Sequence, residues 1–372
     1  MTIFLKMENE TMENAEEPIL RVQDLRTYFY TDAGIVKAVD GISFNLHKGE
    51  TLGIVGESGS GKSVTNLSII NLIQTPPGKI EGGKVFFNGK NIFEMKDEEI
   101  REVRGGKIAM IFQDPMSSLN PYLRISTQMI ETLRLHQKLD KKTAKAKAIE
   151  MLKLTGIPAA EKRIDNYPHQ FSGGMRQRVM IAMGLSCNPD ILIADEPTSA
   201  LDVTIQAQIL DLMSDLTKRL HTAVILITHS LGVVAGICDT IIVMYAGRIV
   251  ERGTADDIFY ETKHPYTQGL IKSVPRLDSN SNERLFSIEG QPPNVIDLPE
   301  CCPFYPRCHR ALPICKTKYP PVTDFSKTHS VACHLYANKN SFELNSTNEN
   351  SSEQTATSKN VSTENANKGD AK

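Results

Sequence analysis

Between residues 20 and 266, short runs of uninterrupted apolar residues recur at 51–55, 107–112, 191–194, 223–228 and 240–244, separated by stretches of helical length. A strand without polar alternation is buried on both faces, so these runs predict a parallel sheet covered by helices. Segments 20–30, 36–46 and 84–88 read instead as antiparallel strands of a side sheet, the last running into the turn signal Asn88-Gly89. From 124 to 156 the apolar spacing becomes helical, through Ile125, Met129, Leu133 and Leu135, then Ala148, Leu152 and Leu154. A helical subdomain at about 114–187, inserted into an α/β domain spanning 18–273, follows from this. Beyond Ser273 the pattern turns short-range and proline-containing, which sets off a separate module at 274–336. In the tail, 337–372, only Phe342, Leu344 and Val361 are sizeable apolar residues, too few to offset the entropy of ordering, so the tail is predicted disordered. Residues 1–17 are predicted disordered too.

No run approaches the roughly 18 apolar residues of a membrane helix, and the start, MTIFLKMENETMENAEE, lacks the basic end and apolar centre of a secretory signal. A cytosolic chain is expected. Its 372 residues suit two or three structural units. The 42 Lys plus Arg against 44 Asp plus Glu give a net charge of -2, which excludes a basic coat for nucleic acid. Of the seven cysteines, five lie between Cys301 and Cys333, and in a reducing compartment clustered thiols point to metal or redox chemistry more than to disulfides.

The strongest local chemistry is Gly56-Glu-Ser-Gly-Ser-Gly-Lys62-Ser63, which follows a predicted strand and opens a predicted helix, the context of a phosphate-binding loop. Gly56, Ser58, Gly59 and Gly61 let backbone N–H groups wrap phosphates, Lys62 reaches the β and γ phosphates, and the Ser63 hydroxyl serves Mg²⁺. The run Ile191-Leu-Ile-Ala-Asp195-Glu196 ends a buried strand on two carboxylates, costly unless a cation or polar ligand meets them. Asp195 fits as a partner of Mg²⁺ and Glu196 as the group polarising the attacking water.

With these come Gln113 after a strand, Phe171-Ser-Gly-Gly-Met175 before a helix, Ser199-Ala-Leu-Asp202, and His229 after another strand. This set, in this order, resembles the ATP-binding subunit of ABC transporters over about residues 20–273. The resemblance implies an α/β P-loop ABC ATPase core, with a mixed sheet, an antiparallel side sheet and a helical subdomain, followed by the Cys-rich C-terminal module and the tail. It assigns Gln113 to the Q-loop with a share in Mg²⁺ binding, Ser172, Gly173 and Gly174 to the signature, Asp202 to the D-loop and His229 to the switch. The signature helix start is bare enough for its backbone to approach a γ-phosphate, which in this family belongs to ATP on a partner subunit. Phe29, between Tyr28 and Tyr30, is the candidate for stacking on adenine. Phe171, Met175 and Ser230 depart from the usual Leu, Gln and Asp, and none of them is a phosphate ligand.

Finer segments, Gln113-Asp-Pro-Met-Ser-Ser-Leu-Asn-Pro121, Met175-Arg-Gln-Arg-Val-Met-Ile181, Asp202-Val-Thr-Ile-Gln-Ala-Gln208 and His264-Pro-Tyr-Thr267, resemble the oligopeptide/dipeptide importer branch, and its D-type ATPase through Gly-Met-Arg-Gln-Arg at 174–178. That branch implies a paralogous F-type ATPase subunit, two membrane permease subunits and an extracytoplasmic solute-binding protein as partners, no nucleic acid, and a peripheral place on the cytoplasmic face of the membrane. Peptides, nickel chelates and other small solutes all remain open as cargo. A soluble ABC ATPase uncoupled from transport would usually carry a long coiled coil or a second P-loop, and neither is present.

Cys302, Cys308, Cys315 and Cys333 have neither the paired CxxC spacing of zinc ribbons nor the ferredoxin run, so the residues favour a metal and leave zinc or iron open. His309, His329 and His334 are near enough in sequence to replace a thiolate on zinc. The importer family's D-type subunits carry a similar Cys-Pro-Phe-x-Pro-Arg-Cys segment, which implies a [4Fe-4S] cluster on those four cysteines and leaves Cys301 spare. Cys187 and Cys238, isolated in the core domain, read as packing residues.

Overall fold

The computed structural model describes residues 17–199, 201–274 and 287–337. The disorder expected of the two termini therefore falls almost wholly outside the described residues. In chain order the strands are β1 (Leu20–Thr31), β2 (Gly34–Leu46), β3 (Thr51–Val55), β4 (Gly78–Phe87), β5 (Lys90–Asn91) and β6 (Ile108–Ile111). They continue with β7 (Ile191–Asp195), β8 (Ala223–Thr228), β9 (Thr240–Tyr245), β10 (Arg248–Thr254), β11 (Val322–Asp324) and β12 (Ser330–Ala332). All five apolar runs become neighbours in one eight-stranded sheet, ordered β11-β12-β10-β9-β3-β8-β7-β6. From β9 to β6 the pairing is parallel, as continuous apolarity predicts. The expected side sheet is present as β2-β1-β4-β5, paired antiparallel. Asn88 and Gly89 both take left-handed φ, 46° and 78°, and return β4 into β5.

Strand periodicity divides the core in two. Leu52 and Ile54, Ile191 and Ile193, Ile225 and Ile227, and Ile242 and Met244 pack with Leu20, Leu25, Val39 and Phe44 of the side sheet. Their alternates Leu192, Ala194, Val224, Leu226, Ile241 and Val243 join the helices instead. Each fully buried aliphatic side chain contributes about 1.5–3 kcal/mol, so both faces of this sheet resist exchange with water.

The helices that matter to the site are α1 (Lys62–Ile69), α2 (Ile125–Gln137), α3 (Lys141–Leu154), α4 (Gly173–Leu185), α5 (Val203–Leu220) and α6 (Pro265–Lys272). In α2 the buried residues include Ile125, Met129 and Leu133, four apart and so on one stripe. Leu135 is 69% exposed, contrary to its reading as part of that stripe, because two residues past Leu133 is the opposite side of a helix. Cys187 and Cys238 are buried, as packing residues should be. No described helix is long and apolar enough to cross a membrane.

The C-terminal segment was expected as a unit apart, yet β12 pairs with β10 through Glu251↔Val331 and Arg252↔Ser330, and so prolongs the main sheet. Strands of three residues are too short to show alternation, which is why the sequence reads them as irregular. Fully buried Glu251 anchors this seam by accepting from the Lys263 and His264 N–H groups at 2.7 and 3.1 Å and lying 3.0 Å from His329 Nε2. Burial pushes the His264 imidazole down to about 4, despite the pull of Glu251. A neutral ring is what its place requires, because Nδ1 accepts the Tyr266 N–H at 3.1 Å and caps α6.

Candidate nucleotide site

Four segments that carry candidate chemistry leave the carboxyl ends of adjacent parallel strands: the phosphate loop after β3, His229 after β8, Asp195 and Glu196 at the end of β7, and Gln113 after β6. In open α/β sheets ligands bind at that edge. Gly61 turns the loop into α1 with φ 99°, and a Cβ there would run into the Ala38 carbonyl of β2. At Gly56 a side chain would meet the Met244 carbonyl of β9. Glycine is therefore required at both positions by close backbone approach. Ser58 and Gly59 are exposed at the crown of the loop.

Lys62 is 6% exposed, and its ammonium donates to the Gly56 and Glu57 carbonyls at 2.8 and 2.9 Å. Burial lowers its pKa, while Glu196, Asp195 and Glu57 oppose the shift. The Ser63 hydroxyl donates to Asp195 Oδ1 at 3.1 Å, which brings the two expected Mg²⁺ partners into contact across α1 and β7. Burial raises the Asp195 pKa, Ser63 lowers it, and neighbouring Glu196 raises it further. A hydroxyl and a half-starved carboxylate side by side are oxygen donors of the kind a hard divalent cation takes.

Glu196 is the centre of the remaining polar contacts. Its backbone sits at φ 44°, rare for a side chain of this size, and its N–H is tied to the Ile227 carbonyl of β8 at 3.0 Å. Held in this way, Glu196 Oε2 accepts from Gln113 Nε2 at 3.0 Å and lies 3.4 Å from His229 Nδ1. The Q-loop amide thus meets Glu196, and the pair Ser63–Asp195 forms without it. His229 is 61% exposed, so one side of its ring remains open above the carboxylate.

A second group gathers at the starts of α4 and α5. Ser172 caps α4 by accepting the Met175 N–H at 3.4 Å, and Asp202 caps α5 by accepting the Ile205 N–H at 3.0 Å. A Cβ on Gly174 would stand 3.0 Å from Ile205 Cγ2, so a bare residue lets the two helix starts approach. Among the described residues, none of the bonds of Lys62, Ser63, Asp195, Glu196 or His229 reaches this group. Phe29 is half-buried on β1, opposite Val36 of β2 and against Gly78 of β4.

Cys302, Cys308, Cys315 and Cys333 are all free thiols, and the Cys302 N–H donates to the Cys315 carbonyl at 3.1 Å. Burial is the main cause that pushes the Cys302 thiol up to about 12 and Cys333 up to about 11, and the charges of the other three thiols add to the shift at Cys302. All four soft donors lie within the one C-terminal stretch 302–333. Among the described residues, however, no three His, Cys, Asp or Glu side chains converge as a seat for one ion. His329 is committed to Glu251 and His334 Nε2 lies 3.0 Å from the Lys318 carbonyl, so neither takes the place of a thiolate as the sequence allowed. Cys301 Sγ lies 3.9 Å from the Cys302 carbonyl.

Sequence reasoning missed Glu57, an unconstrained position of the phosphate-loop pattern. Its carboxylate is gripped by Arg307, and its N–H donates to the Tyr266 hydroxyl at 2.9 Å. A charged residue inside a phosphate-binding loop is the only local signal of that contact.

Residues 39–199 match the ABC transporter family, and residues 250–315 match the oligopeptide/dipeptide transporter C-terminal region. The oligopeptide transport ATP-binding protein OppD of Bacillus subtilis is 53% identical over 84% of this chain and 87% of its own length. The dipeptide transport ATP-binding protein DppD of the same organism is 52% identical over 86% and 95%. Among solved structures, the dimeric ATP-binding cassette MJ0796 bound to ADP and Pi superimposes with a TM-score of 0.57 at 27% identity, over 63% of this chain and 98% of that one. With the phosphate loop, the carboxylate pair and the switch histidine meeting at one sheet edge, and with relatives matched along most of their length, the chain belongs to the ATP-hydrolysing, ATP-binding subunits of ABC transporters, in the oligopeptide/dipeptide branch.

Proposed function

We propose that this chain powers an importer of peptides or related small solutes, working at the cytoplasmic face of the membrane with two permease subunits, an extracytoplasmic solute-binding protein and a paralogous F-type ATPase. The observation that carries the reading is the convergence of Ser63, Asp195, Glu196, Gln113 and His229 beside the Lys62 loop. Lys62 and the loop N–H groups bind the ATP phosphates, and Phe29 stacks on the adenine. Ser63, Asp195 and Gln113 would hold Mg²⁺, which would neutralise phosphate charge. Glu196 orients the attacking water, and His229 and Gln113 hold its carboxylate in place. Ser172, Gly173, Gly174 and Asp202 stand apart from these groups, which suits them to the ATP of a facing subunit. Closure on ATP and reopening after hydrolysis then drive the permeases.

Half a site on each subunit makes turnover depend on assembly. The chain alone is expected to hydrolyse ATP slowly, at a specific rate that falls on dilution, and to accelerate when the paralogous subunit is added. Rapid turnover by a stable monomer, constant across dilution, would contradict the composite site.

The thiols of Cys302, Cys308, Cys315 and Cys333 suit a [4Fe-4S] cluster, whose sulfur ligands bind different irons and need not converge on one point as the ligands of a single zinc must. Such a cluster would supply a rigid crosslink in the C-terminal segment. Anaerobically purified chain is expected to be brown, with about four irons. Replacing Cys308 or Cys315 with Ser should bleach it, and Cys301→Ser should not. Colourless anaerobic protein would refute the cluster.

A further inference from the structure

Arg307, the residue before Cys308, lies on the phosphate loop. Its side chain is 5% exposed and grips the Glu57 carboxylate with both ends of the guanidinium, at 2.7 and 3.0 Å. The remaining donors are used as well, on the Tyr245 hydroxyl at 3.3 Å and the Ile288 and Glu289 carbonyls at 3.3 and 3.1 Å. Three residues earlier, Phe304 is buried with its ring 5.3 Å from both Tyr245 and Tyr266. Tyr266 in turn receives the Glu57 N–H. The segment 302–308, bounded by two of the four cysteines, is thus fastened to the loop by a buried aromatic contact and a two-point ion pair.

Glu57 matters to the loop in two ways. Its carbonyl is one of the two acceptors that hold the Lys62 ammonium at rest. Its carboxylate is a negative charge inside a loop built for anions, and would repel a phosphate if left uncompensated. Arg307 cancels that charge and fixes the carboxylate by a planar, bidentate contact that a lysine cannot reproduce.

We propose that Arg307 is a positioning residue for ATP, acting through Glu57, so that the phosphate loop binds nucleotide well only while the cysteine-bearing segment 302–308 is seated on it. The inference rests on the nucleotide-site reading given above. It makes the C-terminal segment part of the ATP site's control, although none of its residues is assigned to touch ATP.

The test is direct ATP binding to the full chain by calorimetry, together with KM and kcat in the assembled ATPase. Arg307→Gln is expected to weaken ATP binding about tenfold or more, with KM rising and kcat changing little, as loss of a charge-assisted pair implies. Arg307→Lys should recover only part of the loss. In a Glu57→Gln background, Arg307→Gln should cost less than about threefold, because no carboxylate remains to be neutralised. A merely structural role predicts the same cost in both backgrounds, and that result would overturn the inference, as would unchanged affinity in Arg307→Gln. If Arg307→Gln does not fold, the Arg307→Lys comparison in the two backgrounds decides in the same way. Wild-type protein that fails to bind ATP would sink the site reading itself, whereas wild-type binding with no background dependence sinks only the role of Arg307.

Discussion

Glu196→Gln is expected to keep ATP binding and lose turnover by on the order of a hundredfold or more, the usual cost of removing a group that orients or deprotonates the nucleophile. The geometry explains why the two effects separate. The Glu196 carboxylate meets Gln113 and His229, whereas the loop that receives the phosphates is organised by Lys62 and the backbone of β3 and α1. The amide keeps the size of the side chain and can still pair with Gln113 by turning over, but it cannot draw a proton from water. ATPase rate in the assembled transporter and nucleotide affinity of the same preparation check this. Near-normal turnover would remove Glu196 from the role.

Lys62→Ala should do the reverse and weaken ATP binding by about a hundredfold, the scale of losing charge-assisted hydrogen bonds worth roughly 1.5–3 kcal/mol each. In the structure the ammonium is buried on the Gly56 and Glu57 carbonyls, so it has little solvation to give up when phosphate replaces those acceptors. The substitution also leaves two loop carbonyls without their donor, and the loop itself is expected to loosen. Nucleotide titration of the full chain reads the effect, with wild type and Glu196→Gln as the tight-binding references. Equal affinity in Lys62→Ala would mean that nucleotide binds elsewhere.

The two variants divide the site along a line that also divides what could be read without coordinates. The phosphate loop is one contiguous stretch whose glycines, lysine and serine lie between a strand and a helix that each announce themselves by apolar period, so Gly56 to Ser63 was legible as a unit. The five buried strands were legible for the same local reason, because burial on both faces writes an unbroken apolar run into the chain. The strand order that sets β6, β7, β8 and β3 side by side was not legible residue by residue. That order brings Gln113 and His229, from two other loops, to 3.0 and 3.4 Å from the Glu196 carboxylate. For those residues the sequence offered identities and an order that matched a known family, and the contact itself is a product of the sheet.

Beyond residue 273 local signals fade, and the tertiary structure decides more. No apolar period marks β11 and β12, since strands of three residues contribute too few side chains to show one, and only the pairing of β12 with β10, and of β11 with β12, makes them strands. The grip of Arg307 on Glu57 spans 250 positions of chain and could not be inferred from either end, because an arginine and a glutamate carry no record of which partner they meet. What the sequence determined by itself is the chemistry that depends on neighbours along the chain: the phosphate loop, the buried strands and the inventory of thiols. What only the tertiary structure decided is the chemistry that depends on neighbours in space, where the packing of distant elements chooses among many polar partners that look alike in sequence.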